Sequence, residues 1–115
     1  MSTRSTIWVE TEDGFEGIYS HYDGYIENNG KILFEHYDTL EKVQELIAHG
    51  ELSVLGESVE DTKFYNEGNE NYKADELWEI DRYTEEYNYL FKDGNWYLIN
   101  SAKDKDIKRL EPYFI

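Results

Sequence analysis

Tyr87-Asn88-Tyr89-Leu90-Phe91-Lys92-Asp93-Gly94-Asn95-Trp96-Tyr97-Leu98-Ile99-Asn100 is the stretch that decides the fold. Two runs rich in aromatic and β-branched residues flank Asp93-Gly94, a pair that readily takes the left-handed backbone of a two-residue hairpin. Residues 87–92 and 95–100 therefore read as antiparallel partners. A second Asp-Gly pair, Asp13-Gly14, separates Ser5–Thr11, where Ile7 and Val9 alternate with Thr6, Trp8 and Glu10, from a return strand over 16–22 with Ile18 inward. Between the hairpins, Ile32, Leu33, Phe34 and Tyr37 fit a short helix over about 29–37, which Asn28 or Asn29 would cap. Leu40, Val43, Leu46 and Ile47 then define one face of an amphipathic helix. Asp38 or Thr39 stands at its start and Gly50 at its end.

The expected fold is α+β: a small antiparallel sheet from two Asp-Gly hairpins, with two consecutive helices packed on one face. Ile7, Val9, Ile18, Leu33, Val43, Leu46, Ile47, Leu90, Trp96 and Leu98 form its expected core. Residues 57–72 read as an acidic, turn-rich loop, and 74–83 fit a helix or a strand. Ile107, Leu110 and Phe114 suggest a last helix ended by Pro112. At 115 residues the chain has the size of one domain and needs no staple to fold.

Composition narrows the function. With no cysteine, disulfides, thiolate nucleophiles and cysteine-held metals are excluded. No run approaches the ~18–20 apolar residues that span a bilayer, and the opening residues lack a secretory signal, so the expected compartment is the cytoplasm of whichever cell makes or hosts the protein. Twenty-six acids against 11 bases give a net charge of −15. Residues 1–50 carry net −7, residues 51–86 net −9 and residues 87–115 net +1. Such a surface repels phosphates and anionic lipid, so direct binding to nucleic acid or a membrane is not expected, whereas a protein with a basic surface is a fitting partner. Eleven Tyr, five Phe and three Trp mark a folded chain, and Tyr suits an interface.

No motif for catalysis is present: there is no nucleophile elbow, no phosphate-binding glycine loop and no zinc-ligand spacing around His21, His36 and His49. The chain reads as a non-enzyme without cofactor or metal, a monomer or small homo-oligomer. Two binding sites compete. In one, Glu76, Glu79, Glu85 and Glu86, on a segment anchored by Trp78 and Tyr83, form an acidic surface for a basic host protein, as a mimic of DNA charge would. In the other, Arg4, His21, Asp23, Tyr25, Asn29 and Gly30 line a site for a small anionic or nucleotide-like ligand. There Asp23 would orient the His21 ring, and helix N–H groups would face the anion.

Ser2-Thr3-Arg4-Ser5-Thr6-Ile7, then Gly17-Ile18-Tyr19-x-His21-Tyr22-Asp23-Gly24-Tyr25 and Gly30-x-x-Leu33, resemble the openings of a family of small uncharacterised proteins of phages and prophages. The match covers about residues 1–56, and the hairpin at Tyr89–Tyr97 is similar too. Tyr22 stands where that family has Trp, and Ile26 where it has Pro. The resemblance implies a phage setting and no particular chemistry. It adds weight to His21, Asp23 and Gly24 as a shared element, and the setting makes restriction or CRISPR-type defence factors the expected targets.

Overall fold

A computed structural model describes residues 2–65 and 71–115, and all structural statements concern these residues. Eight strands are present: β1 (Ser5–Thr11), β2 (Gly14–Ser20), β3 (Leu52–Val54), β4 (Lys63–Phe64), β5 (Tyr72–Ala74), β6 (Tyr87–Lys92), β7 (Asn95–Ser101) and β8 (Asp106–Arg109). They form one sheet in the order β4-β3-β2-β1-β6-β7-β8, with β5 also paired to β2. Two α-helices, α1 (Lys31–His36) and α2 (Leu40–His49), lie between β2 and β3 in the chain.

The class is α+β, with strands dominating. The sheet is larger than expected and mixed rather than antiparallel. β1 runs parallel to β6, from Ser5↔Tyr87 to Val9↔Phe91, and Ser20↔Leu52 is a parallel pair between β2 and β3. These contacts put β1 in the middle of the sheet, where both faces are covered. Five consecutive residues, Ser5 to Val9, are buried. A strand buried on both sides has no water-facing set of side chains, so its alternation carries no solvent signal.

The turns follow from local backbone chemistry. β6 and β7 pair up to Lys92↔Asn95, leaving Asp93 (φ 52) and Gly94 (φ 79) in left-handed conformations at the turn. In the first hairpin the pairing continues to Thr11↔Gly14, so the loop residues are Glu12 and Asp13, and Gly14 opens β2. Gly14 serves a different need: a Cβ there would sit 2.3 Å from the Ala74 carbonyl oxygen, so its bare backbone lets β5 close on β2.

The sheet separates two cores. On one face α1 and α2 bring Leu33, Tyr37, Val43, Leu46 and Ile47 onto Ile7, Val9, Ile18, Tyr89, Phe91, Trp96 and Leu98. The Thr39 side chain caps α2, accepting from the Lys42 N–H at 3.3 Å, while Asp38 pairs with the Lys42 ammonium at 3.1 Å. The indole N–H of Trp96 donates to the Tyr37 carbonyl at 2.8 Å and ties the end of α1 to β7. On the other face Trp8, Ala74, Ile80, Leu90, Ile99 and Ala102 form a second core. Leu90 belongs to this face, not with the other expected core residues. A 3-10 helix, Leu77–Tyr83, covers it.

The remaining differences are local. The stretch read as a loop contains β4 and the start of β5, and its part at 66–70 lies outside the described residues. Ile107 lies in β8 rather than a helix, and only Glu111–Tyr113 makes a 3-10 turn, with Pro112 inside it. Neither Asn28 nor Asn29 caps α1: a π-helical turn, Ile26–Gly30, runs straight into it. Asn29 is instead buried, its amide donating to the Ser5 and Ser20 hydroxyls at 3.2 and 3.0 Å. It clips the turn onto β1 and β2. Asn29→Ala should lower unfolding stability by about 1–3 kcal/mol, because two buried hydroxyls lose their donor. Denaturant unfolding measures this, and a loss below about 0.5 kcal/mol, the level of a neutral surface change, would contradict it.

Candidate protein-binding surface

The cover of the second core carries the acidic residues singled out in the sequence. Its spacing explains its form. Leu77, Ile80 and Tyr83 recur every third residue, which a helix of three residues per turn places on one side. Ile80 is fully buried, and Leu77 and Tyr83 pack against the second core. Tyr83 stacks on Tyr72, with centroids 4.6 Å apart and planes within 13°. Trp8 lies beneath both rings, its centroid 6.0 Å from Tyr72 and 5.9 Å from Tyr83. Tyr83 is thus an anchor of the segment. Trp78 is not: it points outward and is 52% exposed.

Hydrogen bonds fix this helix at both ends. The Glu76 N–H donates to a Glu79 carboxylate oxygen at 3.1 Å. The two oxygens of Asp81 accept from the Ala102 and Lys103 N–H groups at 3.1 and 2.8 Å, which joins the helix to the turn before β8. Just beyond, Asn88 takes the Glu85 N–H at 2.9 Å and the Thr6 hydroxyl at 2.6 Å, and its amide donates to the Glu85 carbonyl at 3.0 Å. The Trp8 indole N–H donates to Thr6 at 2.9 Å and completes the chain of bonds. An exposed tryptophan therefore stands on a support with little freedom to move.

Around Trp78 the side chains are mostly acidic. Asp75, Glu76, Asp81 and Glu86 are exposed, and Glu79 and Glu85 are half-buried. The Arg82 guanidinium lies 5.4 Å from the Trp78 ring centre and 3.7 Å from the Glu79 carboxylate. Carboxylates also crowd the opposite, helical cover: Glu35, Asp38, Glu41, Glu45, Glu57, Glu60 and Asp61 are all exposed. Negative charge stands on both covers, while Lys103, Lys105, Lys108 and Arg109 gather at the β8 edge. What distinguishes the first cover is its exposed indole, Trp78.

The second candidate cluster is built differently from its sequence reading. The Tyr19 hydroxyl, not Asp23, meets His21 Nδ1, at 2.7 Å. Asp23 is exposed, with a left-handed φ of 56° at the turn. The Asn29 N–H donates to the Asp23 carbonyl at 3.3 Å and the Gly30 N–H to the Tyr25 carbonyl at 3.5 Å, so these donors serve the turn itself. Gly30 is buried against the Tyr89 ring, and the Tyr89 hydroxyl donates to the Gly24 carbonyl at 2.6 Å. Arg4 and Tyr25 remain exposed. The structure brings Asn29 and Gly30 into the interior and leaves Arg4, Asp23 and Tyr25 outside. The segment works as a fastening between the π-helical turn and the sheet.

Sequence reading missed Asp81 and Asn88, the two side chains that hold the Trp78 support. Asp81 bonds to backbone 21 and 22 positions away and Asn88 to Thr6, 82 away, contacts that no local pattern marks; only the bonds of Asn88 to Glu85 are local. Among the described residues no three His, Asp or Glu side chains are placed to hold a metal ion, and no helix is long and apolar enough to cross a membrane. No protein-family profile, curated protein or solved structure matches the chain.

Proposed function

We propose that the chain is a small acidic accessory protein that binds a basic surface of a host protein, of the kind that handles nucleic acid, and blocks it. The observation that carries this reading is Trp78: a half-exposed indole on a pinned 3-10 helix, amid carboxylates. Tryptophan is among the residues most enriched at binding hot spots, and a rigid support lowers the entropy lost on docking. The net charge of −15 supplies attraction at a distance. Because carboxylates stand on both covers, charge steers the encounter, and the indole and its neighbours Glu76, Glu79, Glu85 and Glu86 fix the orientation. The donors near Asn29 and Gly30 are used internally, which gives the small-ligand reading less support.

Trp78→Ala should weaken partner binding by at least about tenfold, the loss of a modest hot spot. The same change should alter stability by less than about 1 kcal/mol, since about half of the side chain stays in water and it belongs to neither core. Calorimetric titration of the partner and thermal unfolding of the free variant check the two halves. Unchanged affinity in a folded variant would contradict the reading.

A further inference from the structure

A cleft of about 760 Å³ opens beside the same support, between the C-terminus of α2 and the β2–β5 pair. Glu16, His49, Asn71, Tyr72, Lys73 and Tyr83 are among the residues that line it. Several features favour a cation there, set against the one ammonium of Lys73. The Glu16 carboxylate is held in place by the Asn71 amide, which donates to it at 2.8 Å and also to the Ile47 carbonyl at 2.8 Å. The C-terminus of α2 points its partial negative charge at the opening. Glu51 and Glu85 lie near enough to oppose ionisation of the Tyr72 hydroxyl, after burial the next causes that push it up. Lys73, the cross-strand neighbour of Glu16, is the lone Lys or Arg among the lining residues.

We propose that this cleft takes an arginine side chain of the partner, its guanidinium donating to the Glu16 carboxylate beside the exposed side of the Tyr72–Tyr83 pair. The inference rests on the reading that the partner surface is basic, and it names the group recognised. A planar guanidinium stacks on aromatic faces and meets a carboxylate with two parallel donors, whereas an ammonium is a compact, strongly hydrated point charge. Tyr83 closes the 3-10 helix that carries Trp78, so cleft and indole belong to one docking surface.

N-acetyl-arginine amide is the probe, titrated against the full chain and followed by NMR shifts of the Asn71 side-chain amide and the Gly50 and Tyr72 backbone. The uncharged citrulline analogue and the lysine analogue are the controls. Arginine should bind about tenfold more tightly than citrulline, the worth of a charge-assisted hydrogen bond. Glu16→Gln, which can still accept from Asn71, should weaken arginine by a similar factor, and Lys73→Ala, which removes a competing cation, should tighten it. The amide is titrated against the chain with no partner protein present, so failure here is separable from failure of the partner reading. Absence of shifts at the cleft, equal binding of citrulline or lysine, indifference to Glu16→Gln, or weaker binding in Lys73→Ala would each overturn the proposal.

Discussion

Trp8→Ala should be among the most damaging single substitutions in the chain, lowering unfolding stability by about 3–5 kcal/mol. Trp8 is fully buried, with the paired tyrosines above it and the Gly17 backbone below. A Cβ on Gly17 would lie 2.4 Å from the Trp8 ring, so ring and glycine fit each other with no slack. Removing the indole loses its apolar transfer energy and leaves a cavity that the sheet is too rigid to collapse. It also leaves the Thr6 hydroxyl without its indole donor. For a chain of this size each kcal/mol lowers Tm by about 4 °C, so a fall of more than about 10 °C is expected. The helix at 77–83 rests on this ring, so limited proteolysis of the variant should start there. A loss under about 1 kcal/mol would mean that the second core does not hold this face together.

High pH should unfold the protein through its buried tyrosines. Burial pushes the Tyr89 hydroxyl far above its ordinary value, and its hydrogen bond to the Gly24 carbonyl requires the proton. Burial also raises Tyr37, Tyr72 and Tyr19, the last despite the opposing pull of the Arg4 charge. Below pH ~10 both folded and unfolded chains keep these protons and stability is unaffected. Above it the unfolded chain loses protons that the folded chain retains, so stability falls as pH rises. Tyr89 alone contributes about 1.4 kcal/mol per pH unit in that range. Denaturant unfolding between about pH 9 and pH 11 should show the decline, with a shallower slope in Tyr89→Phe. Equal slopes for the two proteins would contradict the assignment.

What could be read in the sequence was whatever is governed by neighbours. The Asp93-Gly94 turn and the spacing of Val43, Leu46 and Ile47 are decided within a few positions, and the structure places each in the expected element; of the two caps open for α2, Asp38 and Thr39, it uses Thr39. The partnership of β1 with β6 joins residues 82 apart, and nothing in either segment specifies a parallel neighbour. Trp8 is absent from the expected core for the same reason: alternation with Ile7 and Val9 puts it on the other face of β1, and nothing local shows that this face is covered too. The unbroken apolar run Ile7-Trp8-Val9 was the available sign of a strand covered on both faces. In the acidic middle, strands of two and three residues are too short to show a period. The three-residue spacing of Leu77, Ile80 and Tyr83 was visible, and it fits a 3-10 helix better than either a strand or an α-helix.

The candidate surface was legible only in part. Glu76 and Trp78 are exposed, as a contact site requires, but the sequence assigned Trp78 the anchoring task that Leu77, Ile80 and Tyr83 perform. Charge counting located the acid in the first three quarters of the chain and could not divide it between two covers. The cleft at Glu16 draws its walls from α2, β2, β5 and the 3-10 helix, and no one of those segments announces it.

The most direct test is comparative capture from host-cell lysate, with wild-type protein and Trp78→Ala immobilised side by side at low salt and at about 1 M salt, where the Debye length falls to ~3 Å. The account predicts a discrete basic, nucleic-acid-handling host protein retained by the wild type at low salt, released at high salt and missing from the variant. Retention of the same protein by both chains, or by the wild type regardless of salt, would contradict it.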